Sequence, residues 1–195
     1  MNTKKIVNFI FEINQLKRRK QTGWSLAGVN NPPSIAEHSL RAAQIGYIVA
    51  VMENANAEKV SAMLVMHDNG EARIGDQNKI AARYFDKSQA ESEAFSDQAK
   101  NLGEKIERKW REYFEEFKNR NTKEGIVAKD ADWLETAFQA KEYLDLGHTS
   151  IEDWIQNVEK AVETKSAKVI LEEMKKTKFT DWWKGLKKMT YKKLK

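Results

Sequence analysis

Apolar residues at positions 6, 9, 10, 13 and 16 (Ile6, Phe9, Ile10, Ile13, Leu16) recur at helical spacing, so residues 3–20 are predicted to form an amphipathic helix. The pattern breaks over residues 21–33 (QTGWSLAGVNNPP), which contain both prolines and read as a long loop. Ser34-Ile35-Ala36-Glu37 follows, a capping box in which Ser34 caps a new helix and Glu37 reaches back to it. That helix, residues 34–52, is apolar almost all round. Leu40, Ala43, Tyr47 and Val51 lie on one side and Ala42, Ile45 and Val49 on another, which predicts a place at the centre of the core. The next helix, residues 58–69, carries Val60, Met63, Leu64 and His67 at i, i+3, i+4 and i+7. Charged helices are expected over residues 88–119. Another, over 123–144, has Val127, Ala131, Leu134 and Phe138 as its stripe, and two more lie near 151–163 and 167–175. No strand alternation or internal repeat is visible, so the expectation is an all-α, single-domain helical bundle.

The 195 residues, 41% of them hydrophobic, suffice for one domain with a proper core. The absence of cysteine excludes disulfides, thiolate nucleophiles and Cys-ligated zinc, and agrees with a reducing, cytoplasmic setting. No stretch approaches the ~20 apolar residues of a membrane span, and the charge-interrupted start does not read as a signal peptide. The net charge of +5 is unevenly placed. Residues 175–195 hold nine lysines and one acid, leaving −3 on the preceding 174. The chain is therefore read as a body, 1–174, and a basic, aromatic C-terminal segment, 175–195. Trp182, Trp183, Leu186 and Met189 fall near helical spacing, which favours docking of the tail aromatics, with Phe179 and Tyr191, over nucleic-acid binding.

Two of the three histidines occupy unusual places. His67 continues an apolar stripe, and Asp68 follows it within AMLVMHD. His38 sits one turn into the helix that starts at Ser34, and Asp132 lies between Ala131 and Trp133 on a core helix. Each alone reads as a hydrogen-bonded core residue. Together, two imidazoles and two carboxylates on three core helices suit a borderline divalent cation such as Mn, Co, Fe, Ni or Zn, and Mg less well.

The order His38 … His67-Asp68 … Asp132 resembles the H…HD…D signature of the HD-domain phosphohydrolases. The likeness extends to the 5′-deoxynucleotidase-like branch through Leu16-Lys17-Arg18 with Thr22-Gly23-Trp24, and through Ser34-Ile35-Ala36-Glu37-His38. His67-Asp68-x-x-Glu71, Gly75-Asp76 and Ala131-Asp132-x-Leu134-Glu135, followed by QAKEYLDLGH, continue it. It spans residues 6–154. The resemblance implies an HD fold whose His38, His67, Asp68 and Asp132 bind one divalent metal. Asp130, roughly 200° away round the helix, competes with Asp132 for the last position. It also implies hydrolysis of deoxynucleoside 5′-monophosphates and a homodimer or higher homo-oligomer.

Within that resemblance Glu71 is the expected acid or water-orienting group, and Asp76 an acid near the sugar or near a second ion, a Mg held with Glu71. Arg18 or Arg19 would clamp the phosphate, and Trp24 would pack on the deoxyribose. The bland readings are a helix-end glutamate, a turn or capping aspartate, solvated arginines and a docked loop tryptophan. Gln21 stands where relatives often carry arginine, three before the tryptophan. Two rival readings remain open: an HD phosphohydrolase acting on a cyclic nucleotide or nucleoside triphosphate, and a nucleic-acid-associated module with a structural metal.

Overall fold

The computed structural model describes residues 2–187, arranged as ten α-helices joined by short turns and four 3-10 segments. The helices are α1 (Thr3–Ile13), α2 (Thr22–Leu26), α3 (Ile35–Met52), α4 (Ala57–Met66) and α5 (Glu71–Ile74). They are followed by α6 (Lys87–Lys100), α7 (Glu104–Asn119), α8 (Lys123–Asp145), α9 (Glu152–Ala161) and α10 (Lys165–Lys176). Among the described residues the only extended pairing is a single bridge between Lys20 and Ser34.

The core is built round α8, whose Val127, Ala128, Ala131, Leu134, Ala137 and Ala140 are fully buried. Small side chains on this helix let α3, α4 and α9 pack against it closely. The same device joins α3 to α4 at Gly46, where a Cβ would overlap the Leu64 side chain and touch Val60. Val60, Met63, Leu64 and His67 all point inward, as the spacing of their helix predicts.

The capping box forms. Ser34 Oγ accepts from the Glu37 N–H at 3.2 Å, and the Glu37 carboxylate accepts from the Ser34 N–H at 2.5 Å. This fixes the start of α3 and hence the position of His38, one turn on.

Several expectations need correction. The first helix ends at Ile13 and continues only as a 3-10 segment over Asn14–Lys17, and Ile10 faces solvent. The loop over 21–33 contains α2. The all-round apolar α3 is covered on one side only: Leu40, Tyr47, Ile48 and Val51 are exposed, because no element among the described residues packs over that face. In the C-terminal segment, α10 ends at Lys176, within two residues of the boundary expected at 174/175. Trp182 and Trp183 pack edge-on against each other and remain exposed instead of docking on the body. Phe179 is tied down by its N–H donating to Asp145 at 3.0 Å, and Lys175 pairs with Glu159 at 2.8 Å. Met189 and Tyr191 lie outside the described residues.

Candidate metal centre

Three helices and one turn converge on a small polar pocket in the apolar core. His38 comes from α3, Asp132 from α8, His67 from the C-terminal end of α4, and Asp68 from the turn that follows it. His38 Nε2 lies 3.1 Å from Asp132 Oδ1 and 3.7 Å from Asp68 Oδ2. His67 Nε2 lies 3.1 Å from Asp68 Oδ2 and 3.7 Å from Asp132 Oδ1. The four atoms thus form a closed ring in which nitrogen and oxygen alternate. Two ligands at ~2.1 Å from one ion lie about 3.0–3.4 Å apart at right-angled or tetrahedral positions, so the two 3.1 Å edges have the size a single divalent cation spans and the two 3.7 Å edges are slightly wider. The His38, His67 and Asp132 donors all fall within 4.8 Å of one another.

The histidine tautomers point the same way. His67 Nδ1 lies 2.7 Å from the Leu64 carbonyl oxygen, which only accepts, so Nδ1 carries the hydrogen. Its Nε2 is buried, faces the ring and makes no hydrogen bond. Such a buried, unpartnered nitrogen is what a metal-ligating imidazole presents. His38 Nδ1 contacts Glu135 Oε2 at 2.5 Å, which directs its Nε2 into the ring. Glu135 is held by Arg41, whose Nε donates to Oε1 at 2.9 Å while its other nitrogens reach Gln139 and Glu142. This Arg41–Glu135–His38 chain orients one ligand, as carboxylates behind metal-bound histidines do.

The electrostatics favour a cation. Burial by itself lowers the pKa of His67, but Asp68 and Asp132 outweigh it and push the value up to about 10. His38 is likewise raised well above the usual histidine range against its burial, by Asp132 and Glu135. Burial opposes ionisation of Asp132, yet Lys129 and the two histidines hold it well below the usual carboxylate range. The pocket therefore attracts positive charge at the point where the four donors meet. Two imidazoles and two carboxylates, an unpartnered Nε2 and this field fit one divalent metal.

Glu71, at the start of α5, is 4% exposed. Burial and the nearby Asp68 charge push its carboxyl up to about 9, although Lys87 pulls the other way. Asp76 is spent on structure. Its Oδ2 accepts from the Thr22 N–H at 2.5 Å, tying α2 to the turn after Gly75. The turn aspartate of the bland reading is thus present, although it holds α2 and not the following helix. The position expected for a second Mg, between Glu71 and Asp76, is approached by a lysine. The Lys87 ammonium sits there, 3.3 Å from Glu71, 3.7 Å from Asp76 and 3.1 Å from Glu91, so these acids already share a cation. Gly70 lets α6 come this close, since a Cβ there would fall 2.8 Å from the Glu91 carbonyl oxygen.

The loop divides between the two readings. Arg18 and Arg19 are exposed and make no ion pair among the described residues. The loop ends are fastened beside the start of α3: Gln21 N–H donates to Pro33 O and Ile35 N–H to Arg19 O, both at 3.0 Å. Trp24, expected to face a sugar, is instead 2% exposed. Its indole N–H donates to Gln21 at 2.9 Å, and its ring packs on Trp154 and Tyr143 with centroids 4.3 and 5.3 Å away. With its faces covered, Trp24 offers none to a ligand, and Gln21 serves this packing.

The choice between Asp130 and Asp132 is decided by direction. Asp130 is fully buried on the opposite side of α8, where it accepts from the Glu163 and Thr164 N–H groups and the Thr164 hydroxyl. It fastens the turn that opens α10. Asp132 alone faces the histidines. Four further residues of the site, Arg41, Lys87, Lys129 and Glu135, receive no role from the sequence pattern. The available signal was spacing: Arg41 stands three residues after His38, and Lys129 and Glu135 three residues either side of Asp132.

A family model described as HD domain matches residues 13–175. The 5′-deoxynucleotidase HDDC2 of Homo sapiens is 28% identical over 146 residues, covering 73% of this chain and 70% of that protein. The enzyme of the same name from Dictyostelium discoideum is 30% identical over 139 residues, covering 66% and 72%. A solved structure, a conserved hypothetical protein from Pyrococcus furiosus, superposes with a TM-score of 0.75 at 30% identity, covering 88% of this chain and 99% of the other. With the ordered His-His-Asp-Asp ring at its centre, the chain belongs to the HD-domain phosphohydrolase family, in its 5′-deoxynucleotidase-like branch.

Proposed function

We propose that the protein hydrolyses 2′-deoxynucleoside 5′-monophosphates to nucleoside and phosphate at the ring of His38, His67, Asp68 and Asp132. The observation that carries this reading is the closed N–O–N–O arrangement with the unpartnered His67 Nε2. A divalent cation bound there, for which Mn, Co, Fe, Ni and Zn suit the donor set better than Mg, would supply Lewis acidity toward water and a phosphoryl oxygen. The Arg41–Glu135 chain keeps His38 in one tautomer, and the Leu64 carbonyl does the same for His67. Glu71, buried beside Asp68 with its carboxyl pushed upward by that burial and by the Asp68 charge, is assigned the proton donor to the departing 5′-oxygen. Water attacks phosphorus in line, one P–O bond forms as the bond to O5′ breaks, that oxygen leaves as a hydroxyl with the proton from Glu71, and of the water's two protons one stays on the phosphate and the other returns to Glu71. Arg18 and Arg19, exposed beside the start of α3, are assigned to the outer part of the nucleotide. The deoxy preference rests on the named relatives; buried Trp24 contributes nothing to it.

The exposed row Leu40, Tyr47, Ile48 and Val51 on α3 suits a second copy of the chain, to be read by light scattering. No helix among the described residues is long and apolar enough to cross a membrane, and a cysteine-free nucleotidase fits the cytoplasm. The experiment on function strips the purified protein of metal and reloads it with Mn, Co, Zn or Mg. Release of phosphate from dAMP, AMP, a cyclic nucleotide and dATP is then measured for each. Metal-restored hydrolysis of dAMP above the others is the expected result. Hydrolysis confined to the triphosphate or cyclic nucleotide would overturn the substrate reading.

A further inference from the structure

We infer that Lys129 is the cation that grips the phosphate group of the substrate, an assignment that rests on the phosphomonoesterase reading. Lys129 stands one turn before Asp132 on α8, and its Nζ lies 2.8 Å from Asp132 Oδ2. The other oxygen of that carboxylate, Oδ1, faces the histidines. The ammonium is therefore placed on the outer rim of the donor ring, against a ligand group and beyond the metal position. The histidine side chains are 2–3% exposed and Asp132 14%, whereas Lys129 is 28% exposed, so the charge stands at the mouth of the pocket.

Its donors are mostly uncommitted. A lysine ammonium has three N–H groups, and among the described residues only one makes a hydrogen bond, to Asp132. The faces of Phe117 and Trp133, with centroids 4.6 and 5.7 Å from Nζ, hold the stem and the charge in place, and the Asp68 and Glu91 carboxylates act on the ammonium by charge without accepting a hydrogen bond from it. Lys87, the other ammonium of the region, is surrounded by Glu71, Asp76 and Glu91 and has nothing left to offer. Charge balance completes the argument. The carboxylates of Asp68 and Asp132 neutralise a divalent ion, so an arriving phosphomonoester dianion needs another positive group close by. Lys129 supplies that charge at the rim of the donor ring, whereas Arg18 and Arg19 are exposed on the loop. It also favours a terminal phosphate dianion over a monoanionic diester.

The test titrates inorganic phosphate into the metal-loaded protein by calorimetry, alongside metal stoichiometry by elemental analysis. Lys129→Met keeps the stem between the two rings and removes the charge, while Lys129→Arg retains it. The expected result is phosphate binding about 10- to 100-fold weaker in Lys129→Met, largely restored in Lys129→Arg, with one metal per chain in both. Lys129→Gln repeats the measurement if the methionine variant fails to fold. Unchanged phosphate affinity in the uncharged variants overturns the assignment. So does loss of the metal, which would make Lys129 a support for Asp132 alone. Because the titration needs no turnover, a wild type that binds phosphate through Lys129 but hydrolyses no nucleoside monophosphate would refute the substrate reading and leave Lys129 standing.

Discussion

Asp130 and Asp132 are two residues apart on α8 and do opposite jobs, which makes Asp130→Ala a sharp test of the structure. Asp130 is completely buried and accepts from Glu163 N–H at 3.0 Å, Thr164 N–H at 2.7 Å and the Thr164 hydroxyl at 2.7 Å. Thr164 in turn caps α10 through the Ala167 N–H. Removing the carboxylate orphans three donors at once. Hydrogen bonds to a charged group contribute roughly 1.5–3 kcal/mol each, which sets a gross loss of about 4–9 kcal/mol. Two effects offset it. The variant no longer buries a carboxylate, which costs several kcal/mol by itself, and water reaches the exposed Glu163 side of the turn. The net loss is therefore about 2–4 kcal/mol, or roughly 5–15 °C in Tm for a chain of this size. The assay is thermal denaturation by circular dichroism on chelator-treated protein, so that metal binding does not contribute to the measured stability. A reloaded sample then gives the metal content. Asp130→Ala should melt early and still take up one metal, whereas Asp132→Ala should fold and lose it. An Asp130→Ala variant with wild-type Tm, or one that folds but binds no metal, would refute the division of labour.

Trp24→Ala should destabilise the fold by ~3–5 kcal/mol, as truncation of a buried aromatic does, with the ratio of kcat/KM for dAMP over AMP unchanged; a collapsed ratio in a stable variant would restore Trp24 to the substrate site. Glu135→Gln keeps the shape of the His38 support but removes its charge, and metal affinity measured by competition with a chelator should fall about 10- to 100-fold. Metal-free protein should lose stability as pH rises. With the folded pKa of His67 raised to about 10 and the unfolded value near 6.5, the protonated histidine stabilises fully below the lower figure, and that contribution fades toward the upper one. Glu71, raised to about 9, acts in the same direction, and a Tm that climbs between pH 6.5 and 10 would contradict both.

Local pattern determined much of this protein without help from the fold. The capping box at Ser34 and Glu37 is complete within four residues, and the stripe ending in His67 follows from 3.6 residues per turn, so both were legible in the sequence. The inward placement of His38, His67 and Asp132 was legible for a related reason, while their reading as one metal set with Asp68 came from the resemblance to HD-domain phosphohydrolases. A histidine or aspartate on an apolar helical face must turn inward, and three such faces in one small core have little choice but to meet.

What the tertiary structure alone decided is where the answer depended on distant partners. His38 and Glu135 are 97 residues apart, and their contact depends on how α3 lies across α8. Asp130 and Asp132 were equally placed by periodicity until the turn between α9 and α10 took one of them. Trp24 went to the core because Trp154 and Tyr143 were there to receive it. Apolar residues all round α3 could not say which side the rest of the chain would cover. The lysines were the least legible of all. A lysine in a sequence reads as a solvated charge, and only the packing of α6 and α8 set Lys87 among three carboxylates and left Lys129 with donors to spare.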